Sequence, residues 1–223
     1  MSLPRREAYD RWAPVYPPAP HNALMLAEQE AVTPLLGVRT IERALDVGAG
    51  TGRYTPIVRA AGASVVVSLD WSLAMLRAHA HSALRVCGDA RSLPFACGAF
   101  DLINASLVAG DVTKLGPWVG ELSRVLAPGG RLVYSDFHPA WHTGGWQRTF
   151  RDAAGQIVVL PYEPHTLEDH RRASVDAGLV IETIHEVRVP SPPGFVDRWL
   201  GRNGMKVPGL VVVAAARRRW GGS

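Results

Sequence analysis

Residues 44–55 read Ala44-Leu45-Asp46-Val47-Gly48-Ala49-Gly50-Thr51-Gly52-Arg53-Tyr54-Thr55, an apolar run that passes through one acid into three alternating glycines. The run predicts a strand over 43–47 (RALDV), and the residues beyond the glycines predict a helix near 53–61. Glycines at such a junction let the backbone turn sharply and approach a ligand with no Cβ in the way. Amides at the start of the helix favour a ligand's carboxylate or phosphate. A dinucleotide fingerprint would be spaced G-x-G-x-x-G, its third glycine allowing close packing of helix on strand. Here the spacing is G-x-G-x-G and the third residue after Gly50 is Arg53, a large side chain that suits that fold badly.

Outward from this loop, β-branched runs alternate with helical stretches, the pattern of a parallel sheet covered by helices. Strands are expected at 64–69, 84–88, 100–105 and 130–136, and helices near 72–81 and 114–127. Pro128-Gly129-Gly130 is a stop-and-turn signal before the fifth strand. A helix near 165–177 ends at Gly178, and runs 179–189 and 208–216 read as two more strands forming an antiparallel pair at the end of the sheet. The expected fold is a doubly wound, Rossmann-like α/β sheet of about seven strands with helices on both faces.

Acids recur at successive strand ends. Asp70 ends the second strand, where a carboxylate offers two oxygens to the two hydroxyls of a ribose. Trp71 comes directly after it and can lie against an adenine face. Gly88-Asp89-Ala90 ends the third strand, with Asp89 a candidate acceptor for the adenine amino group and the short Ala90 leaving its backbone open to the adenine edge. Each acid alone is equally well read as a helix cap. The ordered set Asp46, Asp70, Asp89 behind one glycine loop is harder to assign to capping.

Two segments stand outside this rhythm. Residues 1–40 begin with aromatics and prolines, including Tyr9, Trp12 and Tyr16, and continue into a helical stretch over about 22–36. Residues 138–164 hold Trp141, Trp146, Phe150 and Tyr162. An insertion after the carboxyl end of a strand sits where open α/β sheets bind ligands. Both segments are therefore read as lids over one pocket, a lid and helix at 1–40 and a main domain at 41–223 with an inserted lid. Their aromatics suit an apolar or aromatic ligand, or simply pack the lids on the sheet. Tyr16 is placed over the ligand. His138, at the end of the fifth strand, is expected to face the pocket as a general base, with a hydrogen bond to a lid loop as the alternative. Asp111 is a second candidate for that role, and also reads as a helix-start acid.

The chain has 223 residues, 47% hydrophobic and 20% charged, which is globular composition. No apolar run approaches the roughly 18 residues needed to cross a bilayer, and the N-terminus shows no signal peptide. Cys87 and Cys97 offer neither a disulfide framework nor metal-ligand spacing, so reduced thiols in a cytoplasmic protein and no metal are expected. The formal charge of +4 comes from arginines spread along the chain, with one cluster at Arg217-Arg218-Arg219, and no nucleic-acid-binding motif accompanies it.

ALDVGAGTGRYT, VSLDWSLAML, GDARSLPF, FDLINASL and ELSRVLAPGGRLVYSDFHP resemble the successive motifs of class I S-adenosylmethionine-dependent methyltransferases. They are most similar to the branch holding ubiquinone- and menaquinone-pathway enzymes and many natural-product methyltransferases. The resemblance runs from about AYDRWAPVY, like that branch's N-terminal lid, to residue 138, and more weakly to the end. It implies strand order 3-2-1-4-5-7-6 with the seventh antiparallel, S-adenosylmethionine as cofactor with S-adenosylhomocysteine as product, and a small-molecule acceptor. By the same resemblance Asp46, Gly48, Ala49, Gly50 and Gly52 line the methionyl part, Asp70 holds the ribose and Trp71 flanks the adenine. Asp89 and Ala90 address its edge, and Asn104 lines the methyl-transfer mouth. The chain departs from the family after the fourth strand, where a histidine pair gives way to Leu107-Val108-Ala109-Gly110-Asp111-Val112. Ser191-Pro192-Pro193-Gly194 is read as a chance turn.

Methyl transfer from a sulfonium is an in-line displacement with an activated donor, and orientation alone can supply roughly 7–11 kcal/mol. Other chemistry on the same cofactor, or a non-catalytic cofactor-binding subunit, are the alternative readings. Neither the acceptor, the atom methylated nor the oligomeric state is written in the sequence.

Overall fold

The computed structural model describes residues 4–37, 40–189 and 208–217. Ser191–Gly194, Arg218 and Arg219 lie outside them. The helices are α1 (Arg5–Trp12), α2 (Ala23–Val32), α3 (Thr55–Ala60), α4 (Leu73–Arg77), α5 (Leu115–Val125), α6 (Pro139–Thr143) and α7 (Leu167–Asp176). The first five strands are β1 (Arg43–Val47), β2 (Val65–Asp70), β3 (Leu84–Cys87), β4 (Phe100–Ala105) and β5 (Leu126–Phe137). Four more lie among the described residues: β6 (Thr149–Arg151), β7 (Ile157–Val159), β8 (Leu179–Arg188) and β9 (Pro208–Arg217).

Seven strands form one sheet in the order β3-β2-β1-β4-β5-β9-β8, with β6 and β7 a separate antiparallel hairpin. β1 pairs in parallel with both β2 and β4, and β9 runs antiparallel between β5 and β8. This is the expected order. The chain winds one way from β1 to β3 and the other way from β4 onward, so a crevice opens at the carboxyl ends of β1 and β4.

Strand alternation divides the core in two. Leu45, Ile103, Leu132, Tyr134, Val211 and Val213 face α5 and α7, where Trp118 and Leu122 meet them. Ala44, Leu102, Val133 and Val212 face the opposite layer, against Val32, Leu36, Tyr54 and Val58. Both faces are apolar, which is why the central strands read as near-continuous hydrophobic runs.

Local chemistry fixes the ends. α2 starts at Asn22, whose Oδ1 accepts the Met25 amide at 2.8 Å. α7 carries a capping box between Thr166 and Asp169 and ends at Asp176, with Ala177 as its C-cap before Gly178 turns at φ 71°. Three expected boundaries shift. The helix expected at 53–61 begins only at Thr55, because the glycine loop occupies residues 48–52. The helix expected over 72–81 stops at Arg77, and His79 turns inward to Thr55 and Ser68 at 3.1 and 3.2 Å. Pro128-Gly129-Gly130 does not delay the fifth strand. α5 runs directly into β5 at Leu126, and the turn residues are absorbed by a register shift against β4 between Phe100 and Leu102.

Candidate active site

The crevice holds a cavity of about 570 Å³. Its floor is the loop between β1 and α3. Gly48 and Gly52 have φ of 64° and 93°. A Cβ on Gly48 would collide with Val108 Cγ2, and one on Gly52 would stand 2.5 Å from the His79 ring. Those two glycines serve close packing. Gly50, at φ 55°, has open space where its Cβ would be, so a side chain there would project into ligand space.

Asp70 ties the loop to the next strand tip. Its Oδ2 accepts the Gly50 amide at 2.9 Å and its Oδ1 accepts the Ser72 amide at 2.8 Å. Burial raises its pKa to about 6, against the pull of those two amides. Trp71 and Ala90 line the cavity beside it. Asp89 also lines it, with its carboxylate held by Arg91 at 2.6 Å. That bond pulls the Asp89 pKa down.

Asp46 and Asn104 are not in the lining. Asp46 is 2% exposed, and its Oδ1 accepts the Asn104 amide at 2.9 Å while Oδ2 has no partner among the described residues. Burial raises the Asp46 pKa to about 7. Asn104 is fully buried and holds Ser106 with its other end. Ala49 and Gly52 also lie outside the lining. Of the residues expected at the cofactor, then, Gly48, Gly50, Asp70, Trp71, Asp89, Ala90 and Tyr16 border one cavity, and Asp46, Ala49, Gly52 and Asn104 stand behind them.

His138 does not face the cavity as expected. Its Nδ1 accepts the Ala140 amide at 3.1 Å, capping α6, and its Nε2 lies 2.9 Å from Glu186 of β8. Proline at 139 turns the chain into α6 there, so strand alternation no longer sets the ring's direction. Asp111 does line the cavity, but its carboxylate is occupied. Arg148 reaches Oδ1 at 2.5 Å, Tyr9 donates to Oδ2 at 2.6 Å, and Arg5 lies 4.0 Å from Oδ1.

Above the floor, α1 and the hairpin β6–β7 form one roof. Ala8, Phe150, Val158 and Leu160 make its small core. Trp12 stacks on Phe150 with centroids 4.5 Å apart and meets Tyr16 edge-on at 4.6 Å. Arg11 binds Asp152 at 2.6 Å, and Asp10 accepts the Ser72 hydroxyl at 2.6 Å, next to Asp70. Trp12, Tyr16, Trp141, Trp146 and Phe150 all line the cavity; Tyr162 packs behind them on Phe137 and Trp146.

Sequence reasoning assigned no site role to His21, Arg53, Phe137 and Arg148, all in the lining, and named Tyr9 only as an aromatic of the lid. Tyr9 shares a helix face with Trp12, three positions on, which is the signal that places it in the lining. Arg148 had no local signal, because its partners lie far away in the chain. Among the described residues no cluster suits a metal ion, and no helix is long and apolar enough to cross a membrane.

A family model described as a methyltransferase domain matches residues 45–134. The demethylmenaquinone methyltransferase of Beutenbergia cavernae is 38% identical over 168 residues, 71% of this chain and 70% of that protein. The bifunctional biotin biosynthesis protein of Cellvibrio japonicus is 42% identical over 101 residues, 44% of this chain but 20% of that protein. Further demethylmenaquinone methyltransferases are matched over less than half of their length, as at 42% for that of Corynebacterium urealyticum. Among solved structures, an S-adenosylmethionine-dependent methyltransferase from Mesorhizobium loti gives a TM-score of 0.64 at 22% identity, covering 88% of this chain and 99% of that one. At that identity the likeness is one of fold.

Proposed function

The chain belongs to the class I S-adenosylmethionine-dependent methyltransferases, in the branch of quinone-pathway and natural-product enzymes, and we propose that it methylates a small apolar or aromatic acceptor held beside the cofactor. Bound S-adenosylmethionine supplies an activated methyl group on a sulfonium. One observation carries the reading: a single cavity has glycines and acids at strand tips on one side and Trp12, Tyr16, Trp141, Trp146 and Phe150 on the other.

The residues present fit that cofactor. Each Asp70 oxygen takes one backbone amide and keeps a lone pair, so the carboxylate can still accept both ribose hydroxyls. Trp71 flanks the adenine, and Asp89 and Ala90 meet its edge, with Arg91 fixing the direction of the Asp89 carboxylate. The open side of Gly50 accommodates the methionyl chain, and the Asp46–Asn104 pair supports the loop from beneath.

The aromatic wall and the roof orient the acceptor and exclude water. We assign residues 1–40 and about 138–164 to lids on a domain spanning 41–223. Asp111 is read as the roof's anchor and not as a base, since two arginines and Tyr9 converge on it. His138 is read as a fastener between the end of β5 and β8. The chemistry left to the protein is alignment of nucleophile, methyl and sulfur.

Thermal unfolding with S-adenosylhomocysteine, then labelled-donor assays on phenols, amines and carboxylates, tests the proposal. The expected outcome is a rise in Tm with the homocysteine product, as linkage requires, and label transfer to at least one apolar acceptor. A shift with NADH and none with S-adenosylhomocysteine would overturn it.

A further inference from the structure

Alignment suffices for an acceptor that arrives ionised, but one that carries a proton on the attacking atom must also give that proton up. Most groups in the cavity able to take it are already engaged. Asp111 is held by Arg148 and Tyr9, and Asp89 by Arg91, which keeps its pKa low. Asp70 accepts two backbone amides at the strand tips. Burial raises the pKa of both Tyr9 and Tyr16, which stay phenols at neutral pH.

His21 is the exception. It lines the cavity in the aromatic wall, with its ring edge-on to Tyr16 at 5.6 Å and to Trp12 at 6.3 Å between centroids. It directly precedes Asn22, whose side chain caps α2, so the chain that carries the ring is anchored. Among the described residues no side chain hydrogen-bonds to either ring nitrogen. Partial burial lowers its pKa below the ordinary histidine value, the Ala19 carbonyl opposes this, and the charge of Arg53 adds to the lowering. A ring that is neutral at neutral pH keeps a lone pair on one nitrogen.

We propose that His21 is the proton acceptor for the substrate that is methylated, which places that substrate among phenols and other weak acids that reach the cavity un-ionised. This rests on the cavity being the cofactor and acceptor site. The acceptor's lone pair forms the new bond to the methyl carbon, and the electron pair of the broken C–S bond stays on sulfur. The acceptor's proton passes to the free nitrogen of His21, so the positive charge of the sulfonium ends on the imidazolium. Arg53, the charged group that acts on the ring, then favours release of that proton to solvent.

The test compares wild type with His21→Gln and His21→Gly. Diethyl pyrocarbonate, which carbethoxylates neutral imidazole, is applied across about pH 5 to 8 and the His21 peptide is followed by mass spectrometry. His21 is expected to react, with a midpoint below that of an ordinary histidine. Calorimetry with S-adenosylhomocysteine should give affinities within about twofold of wild type in both variants. In labelled-donor assays, transfer to 2-naphthol, which keeps its proton at neutral pH, should fall about 10²–10⁴-fold in His21→Gln. The acid limb of its pH–rate profile should go with it, and added imidazole should restore part of the rate to His21→Gly. Transfer to 2-naphthoate, already a carboxylate, should stay within about threefold.

An unreactive His21, or a midpoint at or above the ordinary value, overturns the proposal. So does unchanged transfer to 2-naphthol in the variants, equal loss on both probes, or a fall in S-adenosylhomocysteine affinity. Transfer by wild type to 2-naphthoate alone, or to neither probe, overturns it too. Wild type that does not bind S-adenosylhomocysteine would sink the cofactor reading instead, and the carbethoxylation midpoint would then decide whether His21 is a free base.

Discussion

The Asp70 carboxylate accepts the amide of Gly50 at 2.9 Å, joining the tip of β2 to the middle of the glycine loop. The residue that would grip the ribose thus also sets the loop that would receive the methionyl chain. Asp70→Ala is expected to weaken S-adenosylhomocysteine binding by more than two hydrogen bonds to hydroxyls are worth, about tenfold to a hundredfold. Asp70 has a pKa raised to about 6, so affinity should fall as pH drops through that value and the carboxylate protonates. Calorimetry across pH in both proteins checks this; a flat profile in wild type would show that Asp70 does not meet the ribose.

Gly50 and Gly52 should fail differently. Both have positive φ, which costs a side chain roughly 1–2 kcal/mol. Gly52→Ala adds a collision with His79 and should lose further stability in urea unfolding. Gly50→Ala meets open space, should fold with the smaller cost, and should lose cofactor affinity. Equal unfolding midpoints for the two variants would contradict the geometry.

Asp46 carries a pKa raised to about 7 by burial. A carboxyl whose folded pKa lies above its unfolded value stabilises the fold while protonated, and that contribution is lost as pH rises from about 4 through about 7. Asp46→Asn, which cannot ionise, should therefore gain Tm relative to wild type as pH is raised from about 5 to 8. Parallel Tm curves would show that Asp46 is not the group that titrates.

His165 shows the opposite linkage. Burial works against its charge, but Asp136 at 2.7 Å more than offsets that and lifts its pKa above the ordinary value. His170 also faces this carboxylate, at 3.4 Å, and Asp169 adds a smaller pull. The stabilisation is complete below the unfolded pKa and is lost as pH rises through the folded one. In an NMR titration of Asp136→Asn, the His165 midpoint should drop below that of wild type.

Asp111 and Arg148 are a nearly buried pair, with side-chain exposures of 12% and 8%. Removing one partner strands the other, at a cost of about 3–5 kcal/mol. Asp111→Asn and Arg148→Met should each approach that loss, and the double variant should lose much less than their sum. Additivity in urea unfolding would show that the pair is not coupled.

Sequence periodicity exposed the sheet because residues such as Leu45, Ile103 and Val133 must fill both faces of parallel strands, leaving runs that read plainly. The glycine loop and the acids at 46, 70 and 89 were legible for a similar reason, being spaced by strand and helix lengths. Which acids look into the cavity was not legible. Asp46 sits one residue inside the end of β1, beneath the loop, while Asp70 reaches past it, a difference of depth that residue type does not encode. His138 was misdirected by the helix that Pro139 starts. The roof's ion pairs, Arg148 with Asp111 and Arg5 with Glu163, join positions too far apart in the chain for local pattern to link them.

The tie between Arg11 and Asp152 spans 141 positions. On a ribosome, the first helix therefore emerges long before the hairpin it fastens to, though Ser72 and Asp111, two of its other partners, come earlier. The chamber is closed by two stretches that can meet only after all of β1 to β5 has been made, while β8 and β9 are still to come. A nascent chain halted before the hairpin would hold the glycine loop and the tips of β1 to β4 with no roof above them.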